Sequence, residues 1–176
     1  MVSNEEFDRI SKEMFYKVME YNPLYGTFVG LHEYDDKMPS LKRETILEQI
    51  ELMKRYLKVF EDMDDSELDF ERKIDRKLAI DMLKLYIFRL EEIREWEKNP
   101  DVSEVIGGAL FPLFTRDFAP FEERVQNMIK RLEKVPEILE EVKTCIKNPV
   151  KLWKEMAIEA SQQTPMFFMI IANAIK

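Results

Sequence analysis

Leu78-Ala79-Ile80-Asp81-Met82-Leu83-Lys84-Leu85-Tyr86-Ile87-Phe88-Arg89-Leu90 is the stretch on which the fold turns. Its apolar residues fall on nearly every side of a helical wheel, and only Asp81, Lys84 and Arg89 interrupt them. A helix without a polar face is buried on most sides. The segment from about 67 to 97 is therefore expected to form the centre of a bundle. Asp81 and Lys84 stand three apart and share a face, so they are expected to pair within that core.

Amphipathic helices flank this segment. Ser3-Asn4-Glu5-Glu6 reads as a capping box, followed by the apolar stripe Phe7, Ile10, Met14, Val18 and Tyr21. Asn22-Pro23 restarts the chain as cap and first helical position, and the short helix that follows stops at Gly30. Ser40 caps a helix with the stripe Ile46, Ile50, Met53, Leu57 and Phe60, and Ser66 caps the central one. Helix Asp101 to Arg116 carries Gly107-Gly108 and Pro112, where a kink is expected. Pro23, Pro120, Pro136, Pro149 and Pro165 each sit where a new helix is expected to begin. No strand pattern competes. The reading is all-α: a bundle of about eight to nine helices in one domain, 1–176.

Composition narrows the function. A net charge of −8 argues against a nucleic-acid partner, because phosphate binding needs a basic face. One cysteine, Cys145, excludes an internal disulfide and a thiolate zinc site, and reads as a small buried apolar residue. One histidine, His32, excludes H-E-x-x-H and two-histidine sites. Neither a phosphate loop nor a nucleophile elbow is present. No catalytic, cofactor-binding or metal-ligating residue is assigned, and no cofactor is expected. The acidic stretch Met1–Glu6 does not read as a secretory signal, and the uncharged stretch Ser161–Ile175 reads as too short to span a bilayer. The cytoplasm is the expected compartment, with no membrane partner. Abundant Glu and Lys beside 4 Gln and 6 Asn resemble a heat-adapted proteome.

Two places remain as cleft candidates. His32 and Glu33 lie in a loop beside Asp35 and Asp36, a grouping suited to acid–base work or to part of a metal site. A turn between helices accounts for the same residues. Arg116, between two helices, has the fork that grips a carboxylate, and serves equally to cap the last carbonyls of its helix.

Several segments together carry a resemblance. They are Asn22-Pro23-Leu24-Tyr25-Gly26-Thr27-Phe28-Val29-Gly30-Leu31-His32-Glu33-Tyr34-Asp35-Asp36-Lys37-Met38-Pro39, Trp96-Glu97-Lys98-Asn99-Pro100-Asp101, Leu113-Phe114-Thr115-Arg116-Asp117-Phe118-Ala119-Pro120, and Arg124 to Pro136. In this order the chain resembles the N-terminal part of the family catalogued as domain of unknown function 885. The resemblance implies an all-helical, zinc-metallopeptidase-like architecture several hundred residues long, with carboxypeptidase- or dipeptidase-like activity and its metal helix in the C-terminal half. No zinc ligand or general base of that kind carries over to any position here. The chain is thus expected to be a helical scaffold, inactive alone. The alternative is a standalone interaction module, a homodimer through Met166–Ile175. In the scaffold reading a missing C-terminal half covers the same helix. A third reading is a small-ligand carrier with a Phe- and Met-lined pocket.

Overall fold

Helices begin where the sequence offers caps. The Glu6 amide donates to Ser3 Oγ (3.2 Å), opening α1 (Asn4–Tyr21). Asn22 Oδ1 accepts from the Tyr25 amide (3.3 Å) and Pro23 takes the first position of α2 (Pro23–Phe28). Gly30, at φ +91°, supplies the left-handed turn that ends this segment, and a single 3-10 turn, His32–Tyr34, follows. Then come α3 (Arg43–Asp62) and α4 (Phe70–Phe88). The cap of α4 is Asp69, whose carboxylate accepts from the Arg72 amide (2.9 Å), and not Ser66. A π-helical turn, Arg89–Ile93, and Arg94 at φ +51° break the long central helix before the four-residue α5 (Glu95–Lys98). The chain continues through α6 (Ser103–Thr115), α7 (Phe121–Cys145) and α8 (Lys151–Ile175). This computed structural model describes residues 1–175, with Ile175 in its backbone alone, and no strand occurs among the described residues.

The fold is all-α, with seven helices of six residues or more besides α5 among the described residues. Two expected boundaries are absent, because Pro136 lies inside α7 and Pro165 inside α8. Both prolines are exposed. In α7 the inward stripe Val125, Met128, Arg131, Ile138 and Cys145 runs uninterrupted past the ring. The lost hydrogen bond falls on the outer side, and packing of the inner face holds the helix together.

The chain forms two compact units. The first comprises Met1–Tyr21 and Arg43–Glu95, with α1, α3 and α4 around Phe7, Met53, Phe60, Met63, Leu68 and Leu83. Phe7 meets Phe60 edge-on, with centroids 6.0 Å apart. Arg76 ties α4 to the end of α3, donating to the carbonyls of Phe60 (2.7 Å) and Glu61 (3.1 Å). The expectation of a buried central helix is overturned here. Leu83 is the only residue of α4 that is buried, while Phe70, Ile74, Leu78, Met82 and Leu85 are exposed. The helix has two apolar faces. Ala79, Ile80, Leu83 and Ile87 pack inward, and the opposite stripe does not. Lys84 pairs with Glu61 (2.7 Å), not with Asp81, which is exposed.

The second unit comprises Asn22–Lys42 and the chain from Trp96 onward, with α2, the 3-10 turn, α6, α7 and α8. Its core gathers Ile106, Leu110, Leu113, Val125, Met128 and Ile171. Buried Glu141 holds the segment after the 3-10 turn, accepting from the Leu41 amide (2.6 Å) and Ser40 Oγ (3.4 Å). Cys145 is buried, with its thiol on the Leu41 carbonyl (3.3 Å).

Candidate functional site

The second unit holds all five candidate residues, in two places. The first is the turn after α2. Gly26 lets the chain close on itself, since a Cβ there would lie 2.8 Å from the Tyr34 ring. The Leu31 amide returns to the Gly26 carbonyl (2.9 Å), which directs His32 and Asp35 to one side. His32 Nδ1 and Asp35 Oδ2 are 3.0 Å apart, and the imidazole stacks on Phe118 at 4.0 Å between centroids. Asp35 is buried, and its Oδ1 has no hydrogen-bond partner among the described residues. Asp36 pairs with Lys130 on α7 (3.1 Å), and Glu33 is exposed.

Arg131 underlies this turn. It is fully buried, donates to Thr27 Oγ1 (2.6 Å) and the Tyr34 carbonyl (3.0 Å), and reaches the Ala109 carbonyl on α6. Burial pushes its guanidinium down to about 10, against the opposing pull of Asp35 and Asp36. One side chain thus joins α2, the 3-10 turn, α6 and α7. The imidazole of His32 is oriented by Asp35 on one ring nitrogen and by the Phe118 ring beneath it. Among the described residues no group of three His, Cys, Asp or Glu side chains is placed to hold a metal ion.

Arg116 sits apart from that turn. It does not cap α6. That role belongs to Arg124, which donates to the carbonyls of Leu113 (2.9 Å), Phe114 (3.2 Å) and Ala119 (2.9 Å). Arg116 donates to the Phe28 carbonyl (2.5 Å) and lies over the Phe28 ring, 4.4 Å from its centroid. Phe28, with Tyr25 stacked at 6.0 Å, forms one wall of a groove between α2, α6 and α8. The groove has a volume of about 1160 Å³. Its floor is the α6 stripe Glu104, Gly107, Gly108 and Phe111, and α8 contributes Gln163, Met166 and Ile170.

Arg124 and Arg131 escaped the sequence reading. Their signal was present: each is a charged residue within the inward stripe that also carries Val125, Met128 and Leu132. An arginine on an apolar stripe points to carbonyls awaiting donors.

The family model described as bacterial protein of unknown function (DUF885) matches residues 23–164. Among solved structures, a presumed lipoprotein of unknown function from Shewanella oneidensis is similar, with a TM-score of 0.80 at 18% identity. The likeness covers 90% of this chain and 29% of that one, so the chain spans less than a third of its neighbour's length. No curated protein matches. At this identity the neighbour establishes a shared fold.

Proposed function

The chain belongs to the DUF885 family of bacterial proteins of unknown function, and we propose that it acts as the N-terminal helical scaffold of a longer, metallopeptidase-like architecture. In this reading it forms one wall of a cleft, and the metal and general base come from the remaining polypeptide. The observation that carries it is the outer stripe of α4. Phe70, Ile74, Leu78, Met82 and Leu85 follow one another along the helix and are exposed. A contiguous apolar stripe of this kind marks a surface that another element covers. The neighbour supports the reading, because there the same fold is 29% of the chain. So does the composition, since the single histidine is tied to Asp35.

The test has two arms. The purified 176-residue chain, supplied with zinc, should show no hydrolysis of a peptide panel. Stoichiometric zinc with peptide cleavage overturns the scaffold reading. The remaining polypeptide of a longer family member, added in trans, should bind the chain and slow hydrogen exchange along α4. Failure to associate removes the reading. A chain that dimerises by itself through α4 or Met166–Ile170 supports the interaction-module alternative.

A further inference from the structure

We propose that the outer face of α4 receives a basic amphipathic helix of the remaining polypeptide. The apolar stripe of that helix seats on Ile74, Leu78, Met82 and Leu85, and its Lys and Arg side chains meet Glu71, Asp75 and Asp81. The inference rests on the scaffold reading and adds to it the chemistry of the covering element.

The first observation is how charge is sorted around α4. At about 100° per residue, Leu78 and Leu85 mark the middle of the exposed stripe. Within about 60° of Leu78 the only ionisable side chains of α4 are the acids Glu71, Asp75 and Asp81. All three are exposed, and none forms an ion pair or hydrogen bond with a described residue. The basic residues of α4 lie about 100° or more from Leu78. Three of them serve their own unit: Arg72 pairs with Asp8 (2.6 Å), Arg76 with Asp65 (3.1 Å) and Lys84 with Glu61 (2.7 Å). Glu71 and Asp75 stand four apart, a like-charge pair that weakens a lone helix and suits one covered by cations.

The second observation fixes the kind of element. The flank of a helix offers no backbone edge, because its amides and carbonyls bond within it. A segment laid over Ile74, Leu78, Met82 and Leu85 must satisfy its own backbone, which a helix does and an extended strand does not. The stripe has the spacing of three and four residues into which the side-chain ridges of a second helix fit. Length is the third observation, since most of the Shewanella oneidensis neighbour lies outside the shared fold and has room for such a helix. A second copy of this chain fits the face less well, because its α4 brings three more carboxylates and no α4 base to the interface.

Two synthetic helical peptides of about 20 residues test this. Both carry the same leucine stripe, flanked by lysine in one and by glutamate in the other. Titrated into the full chain, the lysine peptide should bind at least about tenfold more tightly and slow hydrogen exchange over Phe70–Phe88. The net charge of −8 by itself favours that order, so a charge swap decides. Asp75→Lys with Asp81→Lys should invert the order, with the glutamate peptide now about tenfold the tighter. The variant stays net acidic, because two such replacements remove only half of the −8, and a gain of binding does not arise from misfolding. Glu44→Lys with Glu48→Lys, the same change on α3, should keep the original order. Equal affinities for the unaltered chain, an order that the α4 swap leaves unchanged, or protection away from α4 each overturns the proposal. A dimer of the unaltered chain through α4 overturns it in favour of a second copy. With the remaining polypeptide of a longer family member in trans, the α4 swap should abolish association. Association that survives the swap overturns this proposal and leaves the scaffold reading standing. An unaltered chain that does not associate removes the scaffold reading and this inference with it.

Discussion

Tyr56 shows how a single group senses its surroundings. Its hydroxyl donates to Glu13 (2.9 Å), joining α3 to α1. Burial, followed by that hydrogen bond to a carboxylate, raises the phenol from an ordinary 10.0 to about 12. Between those values the folded chain keeps a proton that the unfolded chain has lost. The contribution to stability is complete below pH 10 and disappears as pH rises through about 12. A phenolate absorbance titration should therefore contain a late step that belongs to Tyr56. Tyr56→Phe should remove that step, and a variant that retains it assigns the late group elsewhere. Buried arginines behave differently. Arg124 and Arg131 spend most of their donors on carbonyls at helix ends and turns, with one left for Asp117 Oδ1 and for Thr27 Oγ1 respectively.

At the scale of elements, the caps were legible and the boundaries at prolines were not. Ser3, Asn22-Pro23 and Gly30 act through residues three or four positions away, so a short window of sequence contains the whole interaction. Whether a proline ends a helix depends on which side of the helix packs, and the sequence window does not hold that information. Pro136 faces outward, so α7 continues through it. Pro136→Ala should restore one amide donor and raise stability by about 1–3 kcal/mol, read as a higher thermal midpoint. A lower midpoint would mean that the ring sets the course of the helix. The same limit applies to α4, where an all-round apolar wheel concealed which face the unit covers.

The candidate site was legible in part for a related reason. His32, Asp35 and Asp36 were found because they are neighbours in sequence, and the structure joins the first two directly. Arg131 was missed because Thr27 and Tyr34 lie about a hundred positions before it. Glu141 was missed likewise, since it holds a segment a hundred residues upstream.

For the molecule as a whole, the outer stripe of α4 makes a separate prediction. Leu78→Lys with Met82→Lys should leave the denaturant midpoint nearly unchanged, within about 0.5 kcal/mol, because both side chains are more than half exposed. The same pair should abolish association with the remaining polypeptide in trans. Unfolding of the double variant would show that the first unit needs this stripe for its own stability.

The second unit is also discontinuous in sequence, and this bears on how the chain emerges from the ribosome. Asn22–Lys42 is synthesised early, but the unit is completed only by residues from Trp96 onward. The contact between Thr27 and Arg131 closes a loop of 104 residues. The turn bearing His32 therefore has no Arg131 beneath it until most of the chain has been made. Meanwhile α3 can already pair with both α1 and α4. Vectorial synthesis thus imposes an order: the first unit assembles while α2 and its turn wait, and long-range closure comes last and slowest. A nascent chain stalled before residue 131 should carry a formed first unit and a protease-sensitive segment at 22–42.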